Sequence, residues 1–189
     1  MPANLVVNWL ADRAAVGAND RIEWGGRAAP GNLMVPNSQG TIRFTAANHG
    51  TVCAIWPPAS VRSLRQGPAA PGPFLGLFPT LGEALAYNEG STELVLFFEK
   101  SITAFGLEVD FSRGDPGHVF DVTAQVADAP QSSWMDHTFP DVPPDSTVFI
   151  GAARPGPDRI GWLYLSVRQR DAAGSPKIKF AINSMDVAV

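Results

Sequence analysis

A single cysteine, Cys53, in a chain of 189 residues leaves no partner for an internal disulfide, so the fold must be held by its core. Charge is also scarce. Charged residues make up 17% of the chain, where soluble proteins average about 25%. The formal net charge is −4, with 14 scattered basic residues, the densest group being Arg62 with Arg65. Binding nucleic acid as a main partner requires clustered Lys and Arg to displace counterions, so this balance excludes it. Long hydrophobic runs are missing too. Stretches such as Leu94–Phe98 are strand-length, far short of the roughly 20 residues of a spanning helix.

Local catalytic signatures are absent as well. The sequence has no Gly-x-Ser-x-Gly elbow. Its three histidines, His49, His118 and His137, show neither His-x-His nor His-Glu-x-x-His spacing, which argues against a zinc site. Met1-Pro2-Ala3-Asn4 carries no basic and apolar leader pattern, which fits either cytoplasmic action or a leader removed before residue 1.

What is present favours strands. Apolar residues account for 45% of the chain, enough for a sizeable core, and 18 Gly and 17 Pro supply turns while breaking helices. One domain is expected at this length. Leu5, Val6, Trp9, Leu10 and Arg13 recur at helical spacing between Asn4 and Gly17, predicting a helix over 3–16. Beyond it, short alternating runs predict strands over 21–24, 41–47, 51–56, 93–99, 102–111, 118–126, 148–152, 160–168 and 178–187. Asn48-His49-Gly50 reads as a tight turn, and Lys100-Ser101 as the turn of a hairpin. The composition of the Pro/Gly/Ala stretch 57–73 predicts an irregular loop. The fold class is therefore all-β, a sandwich of nine to ten strands with one N-terminal helix.

Four segments also carry a resemblance. Glu93-Leu94-Val95-Leu96-Phe97-Phe98, then Ile102-Thr103-Ala104-Phe105-Gly106-Leu107-Glu108-Val109, resembles bacterial secreted proteins of the PEP-CTERM type. Val148-Phe149-Ile150-Gly151 and Lys179-Phe180-Ala181-Ile182-Asn183-Ser184-Met185 are similar to that group's final strands. The resemblance covers about half the chain. It implies a jelly-roll domain akin to carbohydrate-binding modules, and a secreted or cell-surface setting. The sequence departs from the group in having no sorting tail, no visible leader, and Asn183 where Asp is common.

Candidate chemistry is limited. Cys53 lies in an alternating strand and reads as a buried structural thiol. Asp110, Asp115 and Asp121, with Asp128 as a further candidate, bracket the loop Ser112–Gly117 and could offer oxygens to calcium. The other reading of Asp115-Pro116-Gly117 is a turn chosen for its backbone geometry. Glu108 and Asp110 share the polar face of one strand, as alternation produces on any exposed sheet face. Five tryptophans, Trp9, Trp24, Trp56, Trp134 and Trp162, are many for this length. Trp162 and Tyr164 alternate with Leu163, Leu165 and Val167, so they face either a ligand or the N-terminal helix.

Two functions follow. The first is a non-catalytic carbohydrate-binding module using Trp162, Tyr164, Trp134, Asp136 and Trp56 as an aromatic and polar surface. The alternative is a small enzyme with an apolar pocket and an Asp136/His137 acid–base pair.

Overall fold

The computed structural model describes residues 6–24, 37–56, 64–67, 85–88, 93–111, 119–130, 132–143, 146–156, 159–170 and 180–189; of residues 56, 64–67, 85–88 and 111 it describes the backbone. The strands are β1 (Asn8–Leu10), β2 (Asp20–Ile22), β3 (Ile42–Thr45), β4 (Val52–Trp56), β5 (Leu64–Gly67), β6 (Leu85–Asn88) and β7 (Glu93–Ile102). They continue with β8 (Ala104–Phe111), β9 (Phe120–Ala127), β10 (Met135–Val142), β11 (Thr147–Ala153), β12 (Ile160–Gln169), β13 (Phe180–Ile182) and β14 (Met185–Ala188). All pairings are antiparallel.

The chain is an all-β sandwich. Its first sheet has eight strands, running β1-β11-β8-β13-β6-β5, with β14 bridging β8 and β2. The second has six, in the order β10-β9-β12-β7-β4-β3. Alternation explains why the sheets stack. Phe105, Leu107 and Val109 of β8 meet Leu94, Leu96 and Phe98 of β7 and Leu163, Leu165 and Val167 of β12 in one buried cluster. Cys53 is fully buried in the same cluster, and burial pushes its thiol pKa far up. No helix among the described residues is long and apolar enough to cross a membrane.

Four expectations are corrected. Residues 8–10 form β1, not helix, because Asn8–Leu10 pair with Ala153–Gly151 at the edge of the eight-stranded sheet. A single 3-10 turn, Ala14–Val16, follows it, with the Ala15 N–H donating to Asp12. Tertiary pairing overrides the helical spacing, and the β-branched and aromatic content of the segment allows it. The hairpin over 93–111 is not one. β7 and β8 lie in different sheets, and the chain crosses between them at Thr103. That residue's N–H and hydroxyl both donate to the Ala188 carbonyl, and its own carbonyl accepts from the Arg154 N–H.

The stretch 57–73 contains a strand, since β5 pairs with β6 through Leu64↔Asn88 to Gly67↔Leu85; its remaining residues lie outside the described ones. Composition alone missed a strand whose partner supplies the pairing. Finally, 178–187 is two strands broken at Asn183-Ser184, and β10 was missed altogether because Asp136, Pro140 and Asp141 disguise it as a loop. A bulge between Phe139 and Val142, with Asp141 at φ 57°, accommodates those residues.

Candidate functional site

The inward face of the six-stranded sheet is core, so its outward face carries whatever the same strands leave over. On β12 that remainder is Trp162, Tyr164 and Ser166, each half-buried between buried neighbours. The register extends these positions sideways. Trp162 sits opposite Phe97 on β7 and Ala127 on β9. Tyr164 lies opposite Val95 and Gln125, and Gln125 in turn lies opposite Asp136 on β10. Ser166 lies opposite Glu93 and Thr123, with Thr138 beyond. At the far end, the Trp56 backbone pairs with Val95. Adjacent positions in such rows are about 5 Å apart, within side-chain reach of one another.

Contacts along the rows are specific. The Phe97 and Trp162 rings stack with centroids 5.0 Å apart and an interplanar angle of 25°. The Tyr164 hydroxyl bonds the Glu93 carboxylate, and partial burial together with that bond and the negative charge raises the phenol pKa. Thr123 and Thr138 hydroxyls are 3.0 Å apart. Asp136 is exposed. Arg43, on the edge strand β3 and in the Ala54–Phe97–Trp162 row, pairs with Glu99.

Gly161 sets the pitch of this surface. The β12–β7 register shifts between Ile160 and Trp162. At this irregularity a Cβ on Gly161 would lie 2.1 Å from the Asp128 carbonyl oxygen. Only glycine lets the two backbones approach so closely, and the approach delivers Trp162 to its place opposite Phe97.

Sequence-based candidates divide accordingly. Trp162, Tyr164 and Asp136 occupy one outward face, and Trp56 holds a backbone position in the same row. Trp134 is half-buried two residues before Asp136. Phe97, Glu93 and Gln125 were not among the candidates; the alternation of Gln125 with Ala124 and Val126 was an available signal, whereas Phe97 sits in an all-apolar run. Among the described residues the 3-10 turn that follows β1 packs on β8, β11 and β14 of the other sheet, away from this face. Trp9 instead stacks on His137 at 5.1 Å, and His137 meets Phe139 edge-on at 4.5 Å. The three rings close the β1/β10 side of the sandwich.

The Asp136/His137 pair is therefore corrected. Adjacent strand residues point to opposite faces, so Asp136 is solvent-exposed while His137 is held between Trp9 and Phe139.

Of the residues considered for calcium, Asp110 and Asp121 belong to different sheets. Asp110 is fully buried in the eight-stranded sheet. Asp121 belongs to the other sheet, where its carboxylate accepts from Arg170 at 2.8 Å. Asp115 lies outside the described residues. Asp128 follows β9 with its carbonyl against Gly161. Among the described residues no three His, Cys, Asp or Glu side chains converge on one point.

Glu108 and Asp110 differ from expectation in another way, because both are buried. Glu108 accepts from the Asn183 side-chain amide and lies 3.5 Å from Arg13, which also donates to Asp186 at 2.5 Å. Arg21 joins through the Ser184 hydroxyl at 2.5 Å. The set balances its own charge and fastens the 3-10 segment to the sheet.

No family model matches the sequence, and a search of curated proteins finds no match. Solved structures with some likeness of fold include carbohydrate-binding modules and a glycoside hydrolase family 43 arabinoxylan arabinofuranohydrolase. A CBM61 module in complex with β-1,4-galactotriose shares 10% identity at a TM-score of 0.42, covering 71% of this chain and 86% of that one. A family 16 carbohydrate-binding module shares 14% at 0.38, covering 84% and 100%. The CBM22-1 xylan-binding domain from Paenibacillus barcinonensis shares 11% at 0.38, covering 85% and 97%. At these scores the likeness bears no weight, and the architecture rests on the strand pairing itself.

Proposed function

We infer that this domain is a non-catalytic glycan-binding module whose ligand lies on the outward face of the six-stranded sheet. The observation that carries the reading is the Phe97–Trp162 stack beside Tyr164 and Glu93, on the side of the strands turned away from the core. Apolar rings placed away from a core that already has its own aliphatic set favour a partner. Sugars offer apolar C–H faces for rings and hydroxyls for carboxylates and amides, and the rows alternate both kinds of group. Asp136 extends the same surface, and Trp134, two residues before it, and Trp56, at the backbone position opposite Val95, are the further candidates. The motifs similar to PEP-CTERM-type proteins favour a secreted or cell-surface setting for this binding.

The test is affinity electrophoresis and calorimetry against a broad panel of plant, microbial and animal polysaccharides. Retention by at least one glycan is expected, and silence across the panel would overturn the assignment. Replacing Trp162 with Ala should weaken the binding by about 2 kcal/mol, some thirtyfold in Kd, as removal of a central aromatic anchor does.

A further inference from the structure

The charges on this face have a sign, and the sign bears on which glycans can lie there. The aromatic centre carries one carboxylate, and the β10 edge of the same face carries a second. Glu93 is tied to the Tyr164 hydroxyl, and Asp136 is exposed at the end of the Gln125–Tyr164 row. Carboxylates accept hydrogen bonds and cannot donate them, so both suit sugar hydroxyls and oppose another anion.

The described arginines of the face are committed or remote, and Lys100 lies three residues beyond Phe97, about 10 Å along β7 at the strand rise. Arg43 pairs with Glu99. Arg170 is held by Asp121 and Asp141. Arg168 is opposite Asp121 in the register and, four residues along β12 from Tyr164, about 13 Å away at the strand rise. A uronate or sulfate held on the rings would need a guanidinium or ammonium partner. Among the described residues, the rings have Glu93 beside them and Asp136 at the end of their row instead.

We propose that the face selects neutral glycans and turns away uronate-containing and sulfated ones, with Glu93 and Asp136 as the residues that set this choice. The proposal rests on the glycan reading above. Its test compares matched polymers by calorimetry: galactan against polygalacturonate, and unsubstituted xylan against glucuronoxylan, at low and high salt. The acidic member of each pair should bind about tenfold more weakly or worse. Raising the salt should narrow the gap, since added ions screen the exposed charges.

The variants Asp136→Asn, Glu93→Gln and their combination should move the neutral-to-acidic ratio toward one, whatever their absolute affinities. Equal or tighter binding of the acidic polymers by the unaltered protein overturns the selectivity while leaving the glycan function standing. A ratio unchanged in the double variant overturns the assignment to these two residues. No binding to either class overturns the function and the selectivity together. Should Glu93→Gln fail to fold, Asp136→Asn, at an exposed position, reads the same ratio alone.

Discussion

Asn183 does three jobs at the break between β13 and β14. Its side-chain oxygen accepts the Glu108 N–H at 2.8 Å, its amide donates to the Glu108 carboxylate, and its carbonyl takes the buried Trp24 indole N–H. An aspartate of the same shape would keep the first bond and set a second carboxylate against Glu108. Asn183→Asp should therefore destabilise the fold by roughly 3 kcal/mol in urea denaturation. The loss should be smaller at pH 4 than at pH 8, because a buried carboxyl with a raised pKa stays neutral in acid. Asp20 works in the opposite sense. Burial alone would raise its pKa, but the N–H groups of Arg21, Asn48 and Thr51 outweigh that and hold it below the usual carboxylate range. The His49 N–H adds a further bond at 3.1 Å. With the folded pKa depressed, the stabilisation is present above the ordinary range near 4 and is lost as pH falls through the folded value. Asp20→Asn should cost about 1–3 kcal/mol at pH 7 and flatten the acid limb of the stability profile. Cys53, fully buried, should react with an aromatic disulfide reagent only after denaturant is added.

At the scale of elements, β12 shows how far sequence reasoning reached. Its alternation of Leu163, Leu165 and Val167 with Trp162, Tyr164 and Ser166 was legible, because period-two patterning needs no knowledge of neighbours. What lay opposite each ring was not legible, because register is a property of two strands. The same limit hid Phe97 within Leu94–Phe98, a run too uniformly apolar to show its faces. It also turned β1 into a helix and β7–β8 into a hairpin, both decided by partners far away in the chain. The bulge at Gly161 yields a sharper expectation. Gly161→Ala must move the Asp128 backbone, so thermal unfolding should show a loss of several degrees. Trp162 fluorescence should shift in the same variant as the ring leaves Phe97. An unchanged melting temperature would remove Gly161 from its positioning role.

Across the whole molecule, the two sheets divide the labour. The eight-stranded sheet spends its outward polar groups on itself, through Arg13, Glu108, Asn183 and Asp186. The six-stranded sheet leaves rings and acids on its outward side. Sandwich class was readable from turn spacing and composition, whereas this division was not, since Glu108 and Trp162 look equally surface-bound in a linear pattern. The site belongs to the strand scaffold, so a core substitution such as Leu163→Ala should cost about 2–5 kcal/mol. Glycan affinity should then fall only as far as the folded fraction does, which denaturation and calorimetry on one sample would separate. The position of the C-terminus carries a practical corollary. The Val189 N–H donates to Asn19, and the Asn19 N–H donates to Val187, beside β14 on the eight-stranded sheet. Ala188 in turn meets Thr103, where β7 passes into β8, so a carrier, bead or fluorophore tethered through Val189 would attach at the seam between the two sheets.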